Sequence, residues 1–131
     1  YISIVKAAKD QILKNVGVAY IDLNGLKAIN DNYGHSNGDK FICTAADTFK
    51  MVFPDNSYRI GGDEFVIIEQ NIERDKYEER ITALKNIMQD KQVSISIGVL
   101  WREQVDDLEA LLKAADKLMY MEKDMYHKNR E

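Results

Sequence analysis

Arg59-Ile60-Gly61-Gly62-Asp63-Glu64-Phe65 is the stretch on which the fold turns. Asn56-Ser57-Tyr58 precedes it, and Val66-Ile67-Ile68, a β-branched run, follows. Two extended segments joined across a glycine pair predict a β-hairpin, because glycine alone reaches positive φ at both central turn positions without steric cost. Asp63 and Glu64 stand at the mouth of that turn, and Phe65 resumes the apolar strand. Adjacent carboxylates repel each other, which leaves two readings open: a solvated acidic turn, or a site for a divalent cation or a proton transfer.

Toward the N-terminus, Val18-Ala19-Tyr20-Ile21-Asp22-Leu23 is apolar almost throughout, as expected of a strand covered on both faces. Asp22 is its exception. A carboxylate closing a buried strand faces a cleft or caps a helix, since burying it unpaired is costly. Leu26, Ile29 and Tyr33 then predict a short helix stopped by Gly34. A longer helix starts near Asn37, carries Phe41, Ala45, Phe49 and Phe53 as a core stripe, and ends at Pro54. Ahead of the first strand, Val5, Ala8 and Ile12 give a helical period over Tyr1–Lys14 that Asn15 to Gly17 break.

Toward the C-terminus, Tyr77, Ile81, Leu84 and Met88 mark an amphipathic helix with a charged outer face. Val93 to Leu100 alternates as a strand, with Trp101 and Arg102 placed at its exposed end and given no role. Asp106 with Glu109 predicts the cap of a last helix, turned inward by Leu108, Leu111, Leu112, Ala115, Leu118 and Met119 and frayed past Tyr126. The order of elements predicts an α/β domain: a central mixed sheet of about five strands flanked by helices.

At 131 residues the chain makes one domain with its own core. No stretch approaches the ~18 apolar residues of a membrane span. A net charge of −4 and the lack of a basic run exclude nucleic acid as a partner and leave no whole-molecule field to attract polyanions. Cys43 is the single cysteine, so no intrachain disulfide forms, and a cytoplasmic setting is expected. Its place between Ile42 and Thr44 predicts a buried small hydrophobe.

Gly61-Gly62-Asp63-Glu64-Phe65 spells the signature of the GGDEF domain, and four further blocks resemble that family in order and spacing. They are Asp22 to His35, Gly38-Asp39, Val93 to Val99 and Ala114 to Tyr120. The resemblance covers about Val16 to Lys123 and implies a fold similar to the palm of nucleotidyl cyclases and polymerases. It implies a diguanylate cyclase, which condenses two GTP into cyclic di-GMP and pyrophosphate in bacterial second-messenger signalling. Asp22, the Leu23 carbonyl, Asp63 and Glu64 match the family's metal site for Mg2+ or Mn2+, an all-oxygen set of the kind hard cations prefer. Asp63 and Glu64 also match its catalytic acids. Asn30 and Asp39 match the guanine-reading positions, while Gly61, Gly62, Lys123 and, as a second lysine, Lys27 match contacts to the phosphates. The symmetric product implies a transient homodimer with one GTP on each chain. An Asp-x-Leu-Thr-Gly-Leu block usual in the family is not found ahead of the first helix. The chain is therefore expected to be a fragment of a longer protein, with a sensory or receiver domain upstream and this domain making no membrane contact, as the cytoplasmic portion even of a membrane-bound sensor.

The chain departs from the family pattern at several places. Asn24 stands where many members have a second aspartate, and Tyr126-His127 stands where a Gly-Arg pair is usual, leaving His127 or Lys128 to replace a phosphate-binding arginine. The alternative function is a catalytically silent module that binds GTP or a protein partner. In the family's Arg-x-x-Asp product site the aspartate matches Asp55, but Val52 holds the arginine's position. Valine supplies no bidentate contact, and its absence costs roughly ten- to a hundredfold in affinity. Calorimetric titration of cyclic di-GMP into the apo domain is expected to show no micromolar binding that Asp55→Ala removes.

Overall fold

The computed structural model describes residues 2–130, of Arg130 the backbone alone; Tyr1 and Glu131, the ends of the predicted domain, lie outside the described residues. The elements are α1 (Ile2–Ala8), β1 (Leu13–Leu23), α2 (Leu26–Tyr33), α3 (His35–Val52), β2 (Ser57–Arg59), β3 (Glu64–Glu69), α4 (Arg74–Asp90), β4 (Ile95–Val105) and α5 (Leu108–Arg130). Among the described residues no helix is long and apolar enough to cross a membrane.

The sheet has four strands in the order β2-β3-β1-β4, and each neighbouring pair is antiparallel. The expected fifth strand and mixed direction are thereby corrected. β4 runs past its expected end at Leu100 to Val105, and it pairs with β1 from Leu13↔Val105 to Leu23↔Ile95. The directions follow from interleaved crossovers. β1 and β2 run the same way with β3 between them, and β3 and β4 run the same way with β1 between them, the split βαβ arrangement.

Alternation on the strands divides the core in two. Ala19, Ile21 and Leu23 of β1 with Phe65 and Ile67 of β3 meet Phe49 of α3 and Tyr77, Ile81, Leu84 and Met88 of α4. Val16, Val18, Val66 and Ile68 face the other way, onto Ala8 of α1 and Leu108, Leu111, Leu112 and Ala115 of α5. Two glycines allow these layers to close. A methyl at Gly17 would lie 2.4 Å from the Tyr77 ring, and one at Gly98 would lie 1.9 Å from the Ala115 carbonyl oxygen and 2.6 Å from the Met119 nitrogen. α5 thus rests on the bare backbone of β4.

Local expectations hold at α2, which Gly34 ends at φ 87°, and along the buried stripe of α4. Others are corrected. α1 stops at Ala8, and residues expected to extend it enter β1, because Leu13 and Lys14 pair with Val105 and Gln104. Cys43 is exposed, since α3 turns Ala45, Thr48 and Phe49 inward and position 43 lies on the opposite side. Trp101 lies within β4, half-buried, donating from Nε1 to the Ile72 carbonyl at 2.8 Å, with Arg74 stacked 4.9 Å above its ring. The cap of α5 is Asp107, whose Oδ1 accepts from the Ala110 N–H at 3.1 Å, not Asp106. Leu118 is exposed, and the helix continues past Tyr126 to Arg130.

Because the atoms that a methyl at Gly98 would meet are backbone, Gly98→Ala is expected to lower stability by at least the ~1–3 kcal/mol of an overpacked core. Gly62→Ala, whose added methyl meets nothing within 4 Å, should leave stability unchanged. Urea denaturation followed by Trp101 fluorescence measures both.

Candidate functional site

The end of β1 carries the site, and its neighbours set the geometry. Asp22 lies opposite Glu64 on β3 and opposite Ser96 on β4. The next residue, Leu23, donates its N–H to the Asp63 carbonyl at 2.9 Å, which draws the glycine loop against the strand end. Asp22 shares the sheet face of Tyr20, the face α5 covers. From α5, Lys123 Nζ donates to the Leu23 carbonyl at 3.0 Å and lies 3.5 Å from Asp22 Oδ2. Both side chains of that pair are largely buried, 16% and 15% exposed. Two contacts hold α5 in the right place for this: its seat on Gly98, and Glu122 Oε1 accepting from the Ile97 N–H at 3.3 Å.

Asp22 caps no helix, because Gly25 at φ 80° is the residue before α2. Its Oδ1 is buried and no donor reaches it. Asp63 is the neighbouring carboxyl, close enough for its charge to act on Asp22. Burial, and then the charges of Asp63 and Glu64, push the Asp22 carboxyl up to about 6 against the opposing pull of Lys123. An orphaned carboxylate oxygen, a carbonyl already holding an ammonium and a second carboxyl alongside fit a hard cation that completes its shell with water or phosphate oxygens. Among the described residues no three His, Cys, Asp or Glu side chains gather into a metal cage, so the carbonyl and outside oxygens would be needed.

The glycine loop differs from the expected turn. Ile60–Asp63 connect the strands, and neither Gly61 nor Gly62 takes positive φ. Arg59 stabilises the loop instead, Nε donating to the Gly61 carbonyl at 3.1 Å and Nη2 to the Gly62 carbonyl at 2.8 Å. Among the described residues nothing accepts a hydrogen bond from the two glycine N–H groups, and a methyl on Gly62 would meet open space. The glycines are therefore not demanded by backbone strain; they leave room beside the chain.

Lys27, Asp63 and Lys123 line one cleft of about 510 Å³, together with Asp31, Tyr126 and His127. Of the two candidates for the missing arginine, His127 lines the cleft, whereas Lys128 pairs with Asp124 at 3.2 Å on the exposed side of α5. Asn30 sits on Gly38 of α3, where a Cβ would fall 1.7 Å from Asn30 Oδ1, and this brings its amide to the turn that carries Asp39. Asp39 is exposed and lies beyond the first turn of α3, so the dipole of that helix does not account for it.

Arg59 and Tyr20 carried no functional reading in the sequence, and Asn24 was read only as a departure from the family pattern. Arg59 clamps the glycine carbonyls. Tyr20 Oη donates to Glu64 Oε2 at 3.4 Å. Asn24 is buried, its Nδ2 donating to Ser94 Oγ at 3.0 Å and its Oδ1 accepting from Ser96 Oγ at 2.9 Å, so it ties the end of β1 to β4. A carboxylate there would keep the acceptor and lose the amide donor, which gives the departure at Asn24 a structural basis.

Residues 3–129 match the family model described as "Diguanylate cyclase, GGDEF domain". The chain is 37% identical over 124 residues to the signaling protein YkoW of Bacillus subtilis, covering 84% of this chain and 15% of that protein. It is 32% identical to the diguanylate cyclase VdcA of Vibrio cholerae, covering 86% of this chain and 37% of the relative. The chain thus spans well under half the length of these curated relatives. Among solved structures, the GGDEF domain of TpbB (YfiN) from Pseudomonas aeruginosa superposes with a TM-score of 0.74 at 27% identity, over 86% of this chain and 73% of that one.

The raised Asp22 carboxyl has a sign. Between an unfolded value near ~3.9 and the folded value, the folded chain binds more protons, so stability falls as pH rises through that window and stays lower above it. In chelator-treated protein, Asp22→Asn is expected to melt at a higher temperature than wild type above pH 7, with the difference vanishing toward pH 4. Thermal melts across that range check it.

Proposed function

This chain belongs to the diguanylate cyclase family of GGDEF domains, and from that premise we propose that it condenses two molecules of GTP into cyclic di-GMP. The observation that carries the reading is the convergence of Asp22, the Leu23 carbonyl, Asp63 and Lys123 beside one cleft at the end of the central strand. In each half-reaction the 3′-oxygen of one GTP attacks the α-phosphorus of the other. The bond to the β-phosphate oxygen breaks, pyrophosphate leaves, and the hydroxyl proton passes to a base. Two such transfers close the ring and release two pyrophosphates.

Asp22, Asp63 and the Leu23 carbonyl, with Glu64 beside them, would hold Mg2+ or Mn2+, which when bound supplies charge neutralisation at the phosphates and lowers the hydroxyl's pKa. The protein's own residues do the rest. Asp63 and Glu64 are the carboxylates that would accept the proton, and the hydrogen bond from Tyr20 would orient Glu64 for it. Gly61 and Gly62 would leave room for phosphate oxygens to approach the backbone, in a loop whose carbonyls Arg59 holds. Lys123 and Lys27 supply the local cations that a chain of net charge −4 lacks as a whole. Asn30 and Asp39 read guanine, the carboxylate accepting from N1–H and N2–H₂ and the amide doing both. One chain holds one such set, so two chains face each other for a symmetric product. A sensory or receiver domain in the same protein and a cytoplasmic setting for this domain complete the reading, and the greater length of the curated relatives leaves room for such a domain.

A second reading is a silent module that binds GTP without turning it over. It is favoured by His127 lining the cleft where a guanidinium is usual in the family. Incubation with GTP and Mg2+, with ATP alongside, separates the two by product analysis. Cyclic di-GMP from GTP alone supports the cyclase, and bound, unconsumed GTP supports the module. For the cyclase, Asp22→Ala and Asp63→Ala are each expected to abolish product while the circular dichroism spectrum stays that of the folded chain. Fusion to a dimeric coiled coil should raise turnover per site at matched concentration.

A further inference from the structure

The two oxygens best placed to bind a cation are already engaged by a cation of the protein itself. Lys123 Nζ is hydrogen-bonded to the Leu23 carbonyl at 3.0 Å and lies 3.5 Å from Asp22 Oδ2. This ammonium is no loose surface charge. Its side chain is 16% exposed, and it springs from the part of α5 that is pinned to β4 one turn earlier, where Gly98 meets the Met119 nitrogen, and by Glu122 on the Ile97 N–H. A divalent ion using the Leu23 carbonyl and Asp22 must take the place of this ammonium, because two cations sharing one carbonyl at such range repel each other strongly.

We propose that Lys123 is an internal counter-ion that competes with the metal for Asp22 and the Leu23 carbonyl, so that the site accepts a metal with the triphosphate far more readily than a metal alone. The inference rests on the metal-site reading above and adds the order of events. Alone, a dication gains two protein oxygens and Asp63 but must displace an ammonium and leave it unpaired in a largely buried place. Arriving with a nucleotide, it brings phosphate oxygens to which Lys123 can turn. That exchange needs only a long, unbranched side chain to swing from the strand end into the cleft it already lines. In the nucleotide-free state the same contact neutralises Asp22, whose Oδ1 has no donor of its own.

The test is a titration of Mn2+ alone, with no nucleotide, at pH 8, free Mn2+ being read by electron paramagnetic resonance. Wild type, Lys123→Met and Lys123→Gln are compared, and melts in chelator establish that each is folded; the glutamine variant carries the comparison should methionine prevent folding. Removing a charge-assisted contact of this kind is expected to tighten Mn2+ binding by at least roughly tenfold in the neutral variants. A non-hydrolysable GTP analogue should then increase Mn2+ affinity less in the variants than in wild type. Mn2+ binding that is equal or weaker in the variants, yet lost on Asp22→Ala, overturns the competition and leaves the metal site standing. Absence of Mn2+ binding in every protein, with and without the analogue, overturns both.

Discussion

The bare backbone contact between α5 and β4 at Gly98 governs the geometry of this domain. With no side chain between them, the helix and the strand meet main chain to main chain, where even a methyl on Gly98 would overlap the Ala115 carbonyl oxygen. That seat fixes the height of α5 over the sheet. One turn further on, Glu122 reaches the edge of β4 and Lys123 reaches the end of β1. A lysine side chain spans only a few bonds, so its ammonium meets a carbonyl on the neighbouring strand only where the helix lies this low. The chemistry at the strand end is thus set by a residue that contributes no functional group.

Around that seat the chain concentrates its polar exceptions at one end of the sheet. Along β1 the burial is apolar on both faces until Asp22, and then Leu23 and Asn24 close the strand. Asn24 is satisfied on both sides of its amide by Ser96 of β4 and by Ser94 just ahead of that strand, so it adds rigidity without an unpaired group. Asp22 differs, since its Oδ1 has no donor and its carboxyl is raised. Two buried polar groups a residue or two apart therefore play opposite parts: one fastens the strand, the other keeps unspent binding capacity. The remaining orphan, the hydroxyl of Tyr77, lies at the far end of the sheet under α4. There the ring's close fit on Gly17 offsets the ~1–3 kcal/mol that an unmade buried hydrogen bond costs.

Much of this was legible in the chain because it lies in local pattern. The stripe of α4, the halt of α2 at Gly34, the strand ending in Asp22 and the hairpin before Phe65 each follow from spacing of apolar residues and from glycine. The family blocks then indicated which polar residues to group. What escaped was decided between elements distant in sequence. Nothing near Gly17 or Gly98 announces the ring or helix that will lie on it, and nothing near Asn24 announces Ser94 and Ser96. Trp101 read as a strand end because its partner, the Ile72 carbonyl, lies in a connection. Asp107 rather than Asp106 caps α5 by a one-residue choice that two adjacent aspartates leave undecided. The glycine pair read as a turn of positive φ, whereas neither glycine takes positive φ and the pair leaves space instead, which pattern alone cannot separate.

The interleaved crossovers have a consequence for how the chain acquires its structure. β1, the central strand, has neither neighbour nearby in sequence: β3 begins at Glu64 and β4 at Ile95. As the chain leaves a ribosome, the apolar run Val16–Leu23 emerges with both edges unpaired and with only α1 ahead of it to cover part of one face. It stays so until most of the domain has been made, and its second face closes only when α5, the last element, arrives. Such a topology has no early contiguous half that could fold by itself, so high contact order and late closure make its assembly slow and cooperative. The nascent strand is also the segment with most need of shielding from other chains. Within this sheet, the strand that carries Asp22 is thus the first to be made and the last to be enclosed.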